Sequence, residues 1–441
     1  MEDLSPNLIK YGGKQYLFAV GFVFGPGEKP IALDNNAIEE FEYTSEFNGL
    51  FHTGSVTYTD AVGALDKCLE RYGVQCQVSF VRQLQETDGQ MTVTSFSDVE
   101  KLALVFIVDS VQILERSSQY VKYRFGLVSQ NAFQCRARLD YSNYPGGEPC
   151  LDVVRNCAAL AGLEVDQDTF DLVRSPVRLK YLTNGNDDFT TVVKYVLGKM
   201  YYGEQKDDSL KFLVYDEIRQ QYRVYDMKES KTATGAREVV LSFANSGLED
   251  MAAQDPVELG TVPYFTQTQM VDAFSPMRTF SYDYGSNTFG RAAVGCKQLF
   301  DYYSARPDAQ GRELDKDFRL DTSGVDTTRR GAYWNNDFDK YNGVAGCLFG
   351  NNALLAEVAG DMQCIPGCQV AVKVDRDFDA TITEDPDDTD VQAKRYLSYE
   401  GIWTASRVHT YVRPPEQKYK QVLTLVRNYA NVPPPAPPKA Q

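Results

Sequence analysis

Few residues of this chain could do chemistry, and they are scattered. Only two histidines occur, His52 and His409. Each sits in a strand-like stretch, far in sequence from any Cys-x-x-Cys or His-x-x-x-His partner. Neither spacing supports a metal site or a nucleophile with its base, so packing or surface roles are expected for both. Cys364 and Cys368 form the one close cysteine pair. A zinc site needs two such pairs or two nearby histidines. The pair flanks Pro366-Gly367, and packing thiols around a turn are the expectation. The acidic run Glu384-Asp-Pro-Asp-Asp-Thr-Asp390 could face a hard cation. It lacks the glycine and closing glutamate of an EF-hand loop, and a solvated turn between strands fits it better.

No phosphate-binding glycine loop, Gly-x-Ser-x-Gly elbow or His-Glu-x-x-His is present. With 61 acidic residues, many carboxylate pairings are conceivable and none stands out. No catalytic, cofactor-binding or metal-binding residue is nominated, and no cofactor is expected. The chain reads as a structural protein, not an enzyme.

The elements that must position these residues follow from composition and periodicity. At 441 residues, two to four domains are expected, and 43% apolar residues can supply their cores. A net charge of −16 argues against nucleic-acid binding; it suits a wall along which DNA slides without sticking, and simple solubility accounts for it equally well. No basic and apolar leader opens the chain, and the run Tyr16-Leu-Phe-Ala-Val-Gly-Phe-Val-Phe24 is half a bilayer span. No membrane association is expected. Nine cysteines, an odd number irregularly spaced, point to folding in a reducing cytosol. Abundant Tyr (28) and Phe (24) fit a β-rich protein with large interfaces.

Residues 15–129 read as a strand series. Val74, Cys76, Val78 and Phe80 share one face of a strand, and Val121, Tyr123, Phe125 and Leu127 share one face of another. One short helix is expected to interrupt the series just before them, capped by Asp60, with Val62, Leu65 and Leu69 inward and Gly73 at its end. The period then changes. Leu151, Val154, Ala158 and Ala161 predict a helix ending at Gly162. Phe189, Val192, Val193, Val196 and Leu197 predict another, capped by Asn186 or Asp187. A strand lies between them, around residues 177–182. A hairpin follows at residues 210–226, with a polar turn at 217–220. Strands are expected near 239–243 and 279–284, a helix at 291–303, and an extended surface segment at 306–342. The β pattern returns from Ala353, and the closing residues form a proline-rich tail.

The ordered set resembles the central baseplate hub protein of contractile-tailed bacteriophages, a family that includes the hub portion of the type VI secretion spike protein. Four passages carry the resemblance. They are Asn48-Gly-Leu-Phe-His-Thr-Gly-Ser-Val-Thr-Tyr-Thr-Asp60; Tyr123-Arg-Phe-Gly-Leu-Val-Ser129 with the helix at 148–162; Leu210-Lys-Phe-Leu-Val-Tyr-Asp216 with its return strand; and a closing set. The closing set is Ile365-Pro-Gly-Cys-Gln-Val, Leu397-Ser-Tyr-Glu-Gly-Ile-Trp-Thr-Ala-Ser-Arg-Val-His409 and Val422-Leu-Thr-Leu-Val-Arg427.

The resemblance implies a mainly β fold with α/β insertions: two tube-type antiparallel β-barrel domains per chain, plus smaller inserted domains. Its divisions are a first barrel at 1–130, a small α/β domain at 131–208, and a second, discontinuous barrel at 209–232 and 351–430. An insertion spans 233–350 and a proline-rich tail 431–441. It also implies a structural homotrimer at the centre of the baseplate, adapting a six-fold tail tube to a three-fold spike, with DNA passing through the lumen unbound during genome ejection. The implied partners are the tail tube protein and the spike protein, with a baseplate wedge or tape-measure protein as further candidates. The implied location is the virion tail, assembled in the host bacterial cytoplasm. Two departures stand out. No fused spike follows the tail, so the spike would be another polypeptide, and 306–342 has no counterpart. The alternative reading is a host-surface or glycan-binding virion protein, and after it a tail-associated cell-wall hydrolase.

Overall fold

The computed structural model describes residues 7–11, 14–83, 101–144, 147–172, 178–179, 185–197, 211–226, 237–242, 258–267, 277–283, 288–294, 352–374 and 401–426. The fold is mainly β, and most strands belong to one 14-stranded sheet that curls on itself.

The amino-terminal strands are β1 (Asn7–Tyr11), β2 (Lys14–Val23), β3 (Ile31–Ala32), β4 (Ile38–Glu46), β5 (Thr53–Asp60), β6 (Gln75–Gln83), β7 (Lys101–Arg116) and β8 (Val121–Ser129). Seven of them run antiparallel in the order β1-β2-β6-β7-β8-β5-β4, with β3 beside β2. The alternating residues behave as their period requires. Cys76, Val78 and Phe80 of β6 meet Tyr123, Phe125 and Leu127 of β8 in one core with Phe18, Phe22 and Phe41. The helix expected after Asp60 is only a 3-10 turn, Asp66–Leu69. Asp60 does cap this loop, accepting from the backbone N–H groups of Val62 (3.0 Å) and Leu65 (2.8 Å). Leu65 is buried, but Val62 and Leu69 face solvent, because a single tight turn has no continuous inner face.

The middle of the chain holds α1 (Asn131–Cys135), β9 (Glu148–Pro149), α2 (Cys150–Leu160), α3 (Gln167–Leu172), β10 (Arg178–Leu179), α4 (Phe189–Leu197), β11 (Lys211–Asp216) and β12 (Gln221–Asp226). Leu151, Val154 and Ala158 of α2 pack against Phe189, Val192, Val193 and Val196 of α4, as the helical spacing dictates. The cap of α4 is Asp188, whose carboxylate accepts from the Thr191 N–H at 2.7 Å, rather than Asn186 or Asp187. The β11–β12 hairpin forms its own two-stranded sheet. Leu213, Tyr222 and Val224 bury it in this helical core, and it does not pair with the closing strands, with which the resemblance groups it.

The remaining strands are β13 (Arg237–Ser242), β14 (Glu258–Gln267), β15 (Met277–Asp283), β16 (Thr288–Val294), β17 (Asn352–Ala359), β18 (Gln369–Val374), β19 (Gly401–Arg413) and β20 (Lys418–Val426). Six of these close a ring through the pairs β19–β18, β18–β13, β13–β14, β14–β17, β17–β20 and β20–β19. β13 runs parallel to both of its neighbours. β13, expected within the insertion region, and β14, which the sequence reading did not place, are therefore walls of this second ring, whereas the other expected strand, β15, pairs with β16 apart from it. Thr288–Val294 is a strand paired with β15, which replaces the start of the expected helix at 291–303. The rest of that expected helix, the 306–342 segment, the acidic run 384–390 and the tail 431–441 lie outside the described residues.

The amino-terminal strands, extended by β19 and β20 into a nearly closed first ring in which β1 lies beside β20, share this hairpin with the second ring. Along one edge, β19 pairs with β20 from Thr404 to Arg413. Along the other it pairs with β18 from Gly401 to Thr404, and then with β4 from Arg407 to Val412. Val412 and Tyr419, near the hairpin's turn, belong to the first core. Trp403, Ala405, Val408, Leu423 and Leu425, further from it, belong to the second. Gly360 ties the rings at close range. Its N–H donates to the Tyr419 carbonyl and its own carbonyl accepts from the Tyr16 hydroxyl at 2.7 Å. A Cβ there would lie 2.4 Å from the Tyr419 ring.

Candidate functional site

β19 changes its partner at a bulge between Ala405 and Arg407, and a turn fills the gap. The turn is the Cys364–Cys368 segment. Gly367 N–H donates to the Ala405 carbonyl at 2.8 Å, and Ala405 N–H donates to the Cys368 carbonyl at 3.0 Å. Gly367 sits at φ +95°, a conformation that its lack of a side chain permits. Just beyond, Phe47 N–H donates to the Ser406 carbonyl, which brings in the end of β4.

Behind this turn a polar seam separates the two apolar cores. On β19 the inward residues run Val408, Thr410, Val412, and on β20 they run Tyr419, Gln421, Leu423. Thr410 and Gln421 are fully buried. Gln421 spends its amide completely: Nε2 donates to the Asp361 carbonyl (2.9 Å) and to Thr410 Oγ1 (3.2 Å), and Oε1 accepts from the Asp361 N–H (3.0 Å). Thr410 also bonds Tyr43 of β4, and Tyr43 bonds Glu217. Glu217 further bonds Ser45 and lies 3.3 Å from His52 Nδ1. The seam thus runs from Asp361 to His52, joining both rings to the β11–β12 turn.

Burial decides the charge state of its far end. Desolvation pulls the His52 pKa down to about 3 and pushes the Glu217 pKa up to about 8. At neutral pH burial thus favours the neutral imidazole and the protonated carboxyl, so the contact joins neutral groups and is not an ion pair. The Tyr43 hydroxyl is held well above its ordinary range, by burial first and by Glu217 second. His409 stands on the outer surface instead, with Nδ1 2.8 Å from Thr44 Oγ1 and Nε2 3.7 Å from Glu42. Burial lowers its pKa as well, against the pull of Glu42.

The two histidines expected to be structural are therefore far apart in role. His52 is buried at a junction and His409 lies on a half-exposed strand face. Cys364 and Cys368 do flank the Pro366-Gly367 turn, with their sulfurs 3.1 Å apart. Among the described residues no group of His, Cys, Asp and Glu side chains is arranged to hold a metal ion, and no helix is long and apolar enough to cross a membrane. Glu217 is the buried seam residue that sequence reasoning missed, since a glutamate opening a polar turn reads as exposed. Thr410 and Gln421 do leave a sequence signal: each is a polar residue in the apolar phase of an alternating strand.

No family model matches the chain, and no curated protein matches it. Among solved structures, the tail protein from Neisseria meningitidis aligns over 93% of this chain and 96% of its own, at 10% identity and a TM-score of 0.50. This chain has the fold of that tail protein. The 43 kDa tail protein of prophage MuSo2 from Shewanella oneidensis aligns over 94% of this chain and 100% of its own, at 11% identity and a TM-score of 0.47. An E. coli component of the type VI secretion system, described as structurally similar to T4 bacteriophage tail proteins, aligns over 91% of this chain and 76% of its own, at 10% identity and a TM-score of 0.41.

Proposed function

We propose that the chain is a non-enzymatic structural hub of a phage-type contractile tail. In this reading it forms a homotrimer between the tail tube and the spike. The observation that carries the reading is the pair of ring-shaped strand systems held in one register by β19 and β20. Three such chains present six rings around a lumen, which matches a six-fold tube above and a three-fold spike below. The net charge of −16 suits a lumen through which DNA moves without binding.

A second observation supports assembly. β6 covers β7 only as far as Ile107, and among the described residues no strand pairs with residues 109–116 on the side away from β8. These residues are largely exposed, Ile113 and Leu114 at 45% each. An open edge of this length is a template for another strand, and a neighbouring copy of the chain would cover it. The test is the mass of the purified chain by light scattering, alone and with the tail tube and spike proteins. A trimer that binds both is the expected result. A monomer that binds neither would overturn the reading.

A further inference from the structure

We propose that Cys364 and Cys368 form a reversible internal disulfide, a redox-sensitive tie at the point where β19 passes from one ring to the other. Their sulfurs lie 3.1 Å apart as thiols. A disulfide bond is about 2.0 Å long, so side-chain rotation of roughly 1 Å closes the gap. The turn already holds the two residues together. Cys368 N–H donates to the Ile365 carbonyl at 3.0 Å, and the left-handed Gly367 reverses the chain between them.

Accessibility sets the order of events. Among the described cysteines, Cys368 alone is not fully buried. Burial pushes the Cys68 thiol up to about 12 and the Cys135 thiol up to about 11, which keeps both inert. The oxidant is a small-molecule disulfide such as glutathione disulfide. The Cys368 thiolate attacks one of its sulfurs and releases one glutathione thiolate, leaving a mixed disulfide. Cys364, already in contact, then attacks Cys368 Sγ and displaces the second glutathione. Two protein thiols lose two electrons and two protons, and the small disulfide gains both and becomes two thiols.

The bond would fasten the turn whose Gly367 and Cys368 hold Ala405, the residue at the bulge of β19. This proposal does not depend on the tail assignment. The test is to equilibrate the folded full-length protein with glutathione disulfide, quench in acid, alkylate and map the peptides by mass. The expected result is a peptide holding both cysteines, lighter by two hydrogen atoms and refractory to alkylation until reduced. Cys364→Ser should stop at a glutathione adduct on Cys368, and Cys368→Ser should leave Cys364 unmodified. If either variant fails to fold, the wild-type map still decides. A wild-type protein that stops at the Cys368 adduct, or in which both cysteines stay alkylatable, overturns the disulfide. Amide exchange at Gly367 and Ala405 should slow at least roughly ten-fold on oxidation. Unchanged exchange overturns its role as a tie.

Discussion

Gln421 Nε2 donates to Thr410 Oγ1 at 3.2 Å across the shared hairpin, at the level where the first apolar core ends and the second begins. A polar pair in that place fixes register. Sliding β20 against β19 would bury an unsatisfied amide among Val408, Val412 and Leu423.

Replacing Gln421 with Leu should therefore destabilise the protein despite adding apolar surface. It takes the Gln421 partner from the Asp361 N–H and carbonyl and one of the two partners from the Thr410 hydroxyl, at a cost of about 1–3 kcal/mol. Adding Thr410→Val should cost less in that background than in the wild type, because the hydroxyl has already lost a partner. Urea unfolding of the four proteins at one pH measures the cycle, and strict additivity would contradict the seam.

The His52–Glu217 contact predicts a pH profile with two limbs. His52 has a depressed folded pKa, so its contribution is present above about 6.5 and is lost as pH falls toward 3. Glu217 has a raised folded pKa, so its contribution is present below about 4.5 and is lost as pH rises toward 8. Between 4.5 and 6.5 the two slopes cancel and stability should be flat. From 6.5 to 8 it should fall by about 1.4 kcal/mol per pH unit, and Glu217→Gln should abolish that fall. Denaturant midpoints at pH 5.5, 6.5 and 8 check the prediction, other groups being common to both proteins.

The two rings should unfold as one unit. Val412→Ala opens the first core and costs about 2 kcal/mol, whereas Leu423→Ala opens the second and costs about 2–5 kcal/mol. Each should shift a single transition seen alike by circular dichroism and by Trp403 fluorescence in a Trp334→Phe background. Separate transitions for the two probes would show that the hairpin does not couple the rings.

The open edge of β7 gives a prediction about assembly. Ile113→Lys places a charge on that edge, where it touches no core. Monomer stability should move by no more than about 0.5 kcal/mol, while the proposed trimer should fail to form. Sedimentation velocity at matched concentrations distinguishes the two effects, and an unchanged trimer would place the subunit contact elsewhere.

How far the sequence carried this fold depends on the range of each interaction. Alternation in β6 and β8, and the 3.6-residue spacing in α2 and α4, were legible because each pattern reports its own buried face. Partnership was not. Nothing local in residues 401–413 says that β19 pairs with both β18 and β4, since periodicity names a face but not a neighbour. β14 and the outer half of β7 escaped for a related reason. Their mixed polar and apolar residues follow edge exposure and a bulge rather than clean alternation. Glu217 was hidden by its turn, and only the packing of that turn under Tyr43 and His52 makes it a buried acid.

The closure of the first ring by the last strands also sets an order in time. Thr44 and His409 face each other across 365 positions of sequence. A ribosome adds roughly 5–20 residues per second, so the β4 edge waits on the order of 20–70 seconds for its covering strand. Nascent chains would need that edge shielded, by a chaperone or by slow intermediate docking. A gene fragment ending near residue 130 would yield a ring with one wall missing.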